Sequence, residues 1–157
     1  MSQLRERGTY ATRPVPDEAM LSRPREDGRA SATLRTLGGI ALLVVGAVHL
    51  QQYFAVHFAV VPIIGPLFAL NFAGATLIGL GLLIPAARLR LLHLLLALGG
   101  IGLAGTSFVF LFVSEHQPLF GFQDYGYRAA IVVALVAEAV AVVVLSAYLA
   151  MRGRRRA

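Results

Sequence analysis

Apolar residues run almost without a break from Thr36 to Met151. Three short stretches interrupt them: one with Pro62 and Pro66, one running from Pro85 to Arg90, and one carrying Glu115, His116, Pro118 and Asp124. The breaks leave four apolar runs at about 36–58, 65–84, 91–113 and 128–151. A helix rises about 1.5 Å per residue, so each run is long enough to cross a hydrocarbon core of ~30 Å. A spanning segment must satisfy its own backbone groups, and the pattern lacks the many alternating strands of a closed barrel. The sequence therefore predicts an all-α, integral membrane four-helix bundle over residues 36–151.

Charge sharpens this picture. Residues 1–35 hold seven Arg and five acidic residues, have Pro14, Pro16 and Pro24 scattered among them, and show no apolar period. That composition predicts a disordered, Arg-rich tail, because burial would not repay the entropy of ordering it. It does not read as a signal peptide, since the first apolar run starts late and is followed by no cleavage site. A second basic tail occupies 152–157. Thirteen Arg lie in the two tails and the 85–90 turn, against Arg128 alone on the opposite side. This asymmetry predicts that both termini are cytoplasmic (N-in, C-in) in a multi-pass protein of the cell membrane. The same placement makes lipid headgroups, and not nucleic acid, the expected partner of the +6 net charge. All 14 cations are Arg, a bias of the kind a GC-rich genome imposes, and Cys is absent, which excludes disulfides, thiolate catalysis and Cys-ligated metals.

Helices in lipid associate through small residues and polar contacts. Each run has such a face: Gly39, Gly46, His49, Gln52 and Tyr53 on the first; Asn71, Gly74, Ala75 and Gly79 on the second; Gly99, Gly102 and Thr106 on the third, with Gly105 and Ser107 adjacent; Ala130, Ala134, Glu138 and Ala141 on the fourth. Turned toward one another, these faces place His49, Asn71 and Thr106 roughly 8–10 Å below the outer boundary and Glu138 about 15 Å below it. The cytoplasmic half is expected to be almost wholly apolar. Leu37-Gly38-Gly39-Ile40 recurs as Leu98-Gly99-Gly100-Ile101, which either a duplicated hairpin or a Gly- and Leu-rich composition accounts for.

Glu138 is the most informative side chain. A carboxylate near the membrane centre costs about 2.5–3.5 kcal/mol on insertion scales, so a proton or a partner must neutralise it. His49 is the partner at a suitable depth. Two readings stand: a proton-responsive pair at the floor of an outward-facing polar pocket of His49, Gln52, Tyr53, Asn71, Thr106 and Glu138, or a single interhelical hydrogen bond. The stripe from His49 to His57 is equally open, either to a polar ligand or to an ordinary interfacial helix end. A haem held by two His is disfavoured because His49 lies in the outer half and His93 at the inner edge. His57, Glu115, His116 and Asp124 lack the spacing of a metal site. No metal, cofactor or catalytic residue is expected.

Val48-His49-Leu50 with Tyr53, then Pro62-Ile63-Ile64-Gly65-Pro66-Leu67-Phe68 leading into Leu70-Asn71, and Leu119-Phe120-Gly121-Phe122-Gln123 before the last run, resemble a set of uncharacterised small actinobacterial membrane proteins. More distantly the chain is similar to the DoxX-like four-helix proteins, some of them associated with quinone-linked sulfur oxidation. The first resemblance implies four spans and no established activity. The second lacks any diagnostic residue here and transfers neither activity nor site. The expectation is a small accessory or interaction subunit, not an enzyme, working with a membrane-protein partner or as a homo-oligomer. A quinone-linked redox or proton-handling component using His49 and Glu138 is the alternative.

Overall fold

A computed structural model describes residues 18–55, 57–85, 87–123 and 126–154 of the chain. Four α-helices follow one another: α1 Glu18–Ala55, α2 Ile64–Leu83, α3 Arg90–His116 and α4 Ala129–Arg154. Short 3-10 turns precede α2 and α3, at Phe58–Val60 and Ala87–Leu89. Each helix packs on its neighbours in sequence and α1 closes the ring against α4, while α1 also touches α3 across the diagonal. All four are long and apolar enough to cross a membrane; the shortest, α2, has 20 residues, about 30 Å at the helical rise.

Two features differ from the sequence reading. The polar stretch before Thr36 does not stay apart from the first span: α1 reaches back to Glu18, so residues 18–35 of the expected disordered tail are helical, and residues 1–17 lie outside the described residues. The physical reason is cooperativity. A span that has already met the cost of nucleation adds preceding residues for one hydrogen bond each, Met20 excepted because Pro24 has no N–H to offer it, without an apolar face of their own. The second difference is the rotation of α3. Its buried positions are His93, Ala97, Gly100, Ala104 and Ser114, while Gly99, Gly102 and Thr106 are exposed. The inward face is thus turned by one residue, about 100°. His93, Gly100, Ser107 and Ser114 stand seven apart, with Ala97, Ala104 and Leu111 between them. On α4 the buried Ile131, Ala134, Glu138, Ala141, Leu145 and Tyr148 keep the same alternation of three and four, the repeat of left-handed helix packing.

Small residues let the backbones meet. A Cβ at Gly39 would stand 3.0 Å from the Gly79 carbonyl oxygen, and one at Gly79 would stand 2.9 Å from that of Gly39. Gly46 similarly faces Thr76 and Ala75. Leu145, fully buried on α4, fills the hollow left by Gly38 of α1 and Gly100 of α3. The two Leu-Gly-Gly-Ile segments are therefore used unequally: Gly39 meets α2 backbone, whereas its equivalent, Gly100, receives Leu42 and Leu145. Large aliphatic side chains face outward instead, among them Leu70, Leu77, Leu91, Leu95, Val136 and Val143. Small residues inside and bulky ones outside suit a lipid surround and would be a liability in water.

One end of the bundle carries Arg35, Arg88, Arg90 and Arg152; the other carries Phe58, Phe120, Phe122 and Tyr127. The arginine end is not wholly apolar inside. Arg35 Nη1 donates to the carbonyls of Leu82 and of Ile84, the latter at 2.9 Å, and His93 Nε2 donates to the same Ile84 carbonyl at 3.1 Å. These are the orphan acceptors at the C-terminus of α2, so α1 and α3 both cap it. Arg152 of α4 donates to the Arg90 carbonyl of α3 at 3.0 Å and to Tyr148 Oη at 2.8 Å. Replacing Arg35 with Met is expected to cost about 1–2 kcal/mol, since two acceptors lose a charged donor at an end that water partly reaches. Thermal unfolding in mild detergent measures it, and an unchanged midpoint would remove Arg35 from the capping role.

Candidate functional site

His49 lies six residues before the end of α1 and is 6 % exposed. Its Nδ1 is 2.9 Å from the Val45 carbonyl oxygen one turn back. A carbonyl only accepts, so Nδ1 carries the proton and Nε2 of the neutral ring is a bare acceptor. Ser107 Oγ of α3 stands 3.2 Å from Nε2 and donates to it. Glu138 Oε1 of α4 lies 3.9 Å from the same nitrogen. Three helices thus converge on one imidazole nitrogen.

Glu138 is fully buried, between Ala134 and Ala141, and neither of its oxygens has a hydrogen-bond partner among the described residues. The His49 imidazole and the Ser107 hydroxyl are the polar groups that face it. One proton can reside on Glu138 or, by transfer, on Nε2; in the second state Ser107 no longer has Nε2 as an acceptor. The arrangement places a hydroxyl and a carboxyl around one imidazole nitrogen.

Beside His49 lies a cavity of about 450 Å3 between α2 and α3. Such a volume falls within the range of small-molecule pockets. Leu67, Leu70 and Leu103 are among its apolar walls, and His49, Asn71, Thr106, Ser107 and Ser114 are its polar groups. Phe58, Leu119 and Phe122 line it at the aromatic end. Phe58 stacks edge-on against Phe122 at 5.3 Å and leans on Phe68 at 4.8 Å, and Phe68 in turn lies 5.0 Å from the His49 ring. The Arg128 guanidinium sits 6.0 Å from the centre of the Phe58 ring.

Local sequence explains why these aromatics reach the cavity. A Cβ at Gly65 would approach the Phe58 carbonyl oxygen to 2.7 Å, so glycine lets the 3-10 turn lie against the first turn of α2. Leu119 and Phe122 exchange backbone hydrogen bonds at 2.7 and 2.9 Å around Phe120 and Gly121, both at positive φ, as in a type I′ turn. The turn presents both flanking side chains to the cavity.

Of the six residues expected to form a pocket, His49, Asn71 and Thr106 line this cavity. Glu138 adjoins it through His49. Gln52 is buried and bonded to Gln51, with its Oε1 unpartnered among the described residues, and Tyr53 packs edge-on against Phe54; neither lines the cavity. Sequence reasoning placed Ser107 beside the α3 face instead of on it and missed Ser114; the seven-residue spacing with His93 and Gly100 is the signal that finds both. Phe58, Phe68 and Phe122 come from separate segments with no pattern linking them. His93 belongs to the arginine end and has no part in this site. Among the described residues no three His, Asp or Glu gather to hold a metal, and Asp124 lies outside them. The chain matches no protein-family model, no curated protein and no solved structure.

Proposed function

We propose that this is a four-pass protein of the cell membrane, with both termini cytoplasmic, that serves as a small accessory or interaction subunit and offers the cavity beside His49 to a small molecule. The observation that carries this reading is the cavity itself: apolar walls from two helices, ending on a polar group, His49, held in place by Val45 and Ser107. The outward-facing aliphatic residues and the arginines gathered at one end support the membrane setting and the orientation. The resemblance to small actinobacterial membrane proteins fits the same assignment, and a membrane-protein partner or a second copy is the expected associate.

Gly102 supplies the test. It lines the cavity, and a Cβ there would meet nothing within 4 Å, so Gly102→Leu fills the space without disturbing the bundle. Native mass spectrometry of protein released from membranes is expected to show a bound small molecule on the wild type that Gly102→Leu loses. A bare wild-type chain overturns the binding role. A C-terminal reporter active only outside the cell overturns the orientation.

A second reading, a quinone-linked redox or proton-handling component, is favoured by the 3.9 Å approach of His49 Nε2 and Glu138 Oε1. It expects quinone in the extract of purified protein, and a pH dependence of thermal stability that Glu138→Gln abolishes. Absence of quinone, with identical pH profiles for wild type and variant, eliminates it.

A further inference from the structure

Most polar groups of the cavity are already engaged within the protein. His49 is bonded to Val45 and Ser107, and Ser114 Oγ donates to the Leu111 carbonyl at 2.9 Å. Two are not. Among the described residues Asn71 Oδ1 is buried without a hydrogen-bond partner and Thr106 makes no hydrogen bond. They lie on α2 and α3, the two helices that flank the cavity, and both line it. An unmet buried amide costs about 1–3 kcal/mol, and no water reaches such a group inside a bilayer to satisfy it.

The rim of the cavity shows where an occupant comes from. The aromatic end is lined by Phe58, Leu119 and Phe122, whereas Leu70 and Phe110, also lining residues, are 68 % and 37 % exposed on the side of the bundle. Among neighbouring helices α2 and α3 pack the least closely. The gap between them therefore opens sideways, through apolar lips.

We propose that the cavity takes an uncharged, membrane-dissolved lipid alcohol, which arrives from the bilayer between α2 and α3 and sets its hydroxyl against Asn71 and Thr106. The inference rests on the reading that these helices span a membrane. Among the described residues no Arg, Asp or Glu lines the cavity, so a phosphate or ammonium headgroup would be desolvated there without a counter-charge from them. A hydroxyl both donates and accepts, so it satisfies the Asn71 amide in either orientation and the Thr106 hydroxyl as well. A single small head on an apolar body matches a cavity with two free polar groups and walls of Leu and Phe.

The test uses the full chain in phosphatidylcholine nanodiscs, with a diazirine-bearing long-chain alcohol as photolabel and its methyl ether as the matched control. The ether cannot donate. The alcohol is expected to label residues lining the α2–α3 gap, with the ether about tenfold weaker at equal concentration, the effect of one such hydrogen bond. Asn71→Leu is expected to bring the two probes level, and Thr106→Val, which keeps the shape of an exposed side chain, to narrow the difference. Gly102→Leu is expected to suppress both. Equal labelling by alcohol and ether in the wild type, blocked by Gly102→Leu, overturns the hydroxyl assignment and leaves the pocket standing. Labelling of the gap by neither probe overturns the pocket as well.

Discussion

Gly79→Val is expected to lower the stability of the bundle by about 2–3 kcal/mol and Gly39→Val by a similar amount. Two effects of opposite sign compete. Glycine in a helix interior is worse than alanine by about 0.5–1 kcal/mol, so adding a side chain begins with a gain. At Gly79 the new Cβ stands 2.9 Å from the carbonyl oxygen of Gly39, and backbone cannot turn aside as a side chain does. The helices must separate, which breaks the contacts of Gly46 with Thr76 and Ala75 further along the same crossing. In lipid those contacts are the source of association, because expulsion of water contributes nothing between helices. Gly105→Ala is the control. Its Cβ would meet only Val142, at 4.0 Å, so the intrinsic gain is expected to survive and stability to rise slightly. Unfolding of the three variants in mild detergent orders them, and a Gly79→Val protein as stable as the wild type would show that α1 and α2 do not meet backbone to backbone.

The same crossing shows how far the sequence could be read. Four helices of spanning length were legible because lipid dictates both the length and the apolarity of a segment, and each shows directly in the residue pattern. Gly39 and Gly79 were legible as packing residues on the same argument. The face of α3 was not. Gly99, Gly102 and Thr106 form as good a small-residue stripe as Gly100, Ala104 and Ser107, and composition alone does not choose between faces one residue apart. Leu145 decides it: a leucine from α4, seated against Gly38, needs Gly100 and not Gly99 opposite. The start of α1 was hidden for a different reason, since the helix before Thr36 is inherited from the span behind it and not encoded in a period of its own.

The candidate site divides in a similar way. Counting rise along each helix set His49 and Glu138 about one turn apart in depth, and their atoms stand 3.9 Å apart. Depth is a one-dimensional quantity, and a single sequence supplies it. Lateral position is not, so Gln52 and Tyr53, equally suitable by depth, lie off the cavity. The aromatic end depends on tertiary detail that no local pattern carries: Gly65 admits the Phe58 turn, and a type I′ turn delivers Phe122 to meet it.

His49→Leu is expected to destabilise the protein by about 3 kcal/mol, and a second substitution, Glu138→Leu, to restore most of the loss. The asymmetry between the two partners leads to this. Among the described residues Glu138 has no hydrogen bond besides its approach to His49, so removing the imidazole leaves the buried carboxyl with the Ser107 hydroxyl alone to face. His49 is better supported: without Glu138 it keeps the Val45 carbonyl on one nitrogen and the Ser107 hydroxyl on the other. Glu138→Leu alone is therefore expected to cost under about 1 kcal/mol, its apolar side chain lying among Ala134 and Ala141. With both changed, no buried carboxyl is left and only the Ser107 hydroxyl has lost its acceptor, so the double variant should lie within about 1 kcal/mol of Glu138→Leu. The difference between the measured double loss and the sum of the single losses, expected at about 2–3 kcal/mol, is the coupling between the two side chains. A double variant whose loss equals that sum would mean that Glu138 and His49 do not sense one another, and with that result the proton shared between α1 and α4 has no physical basis.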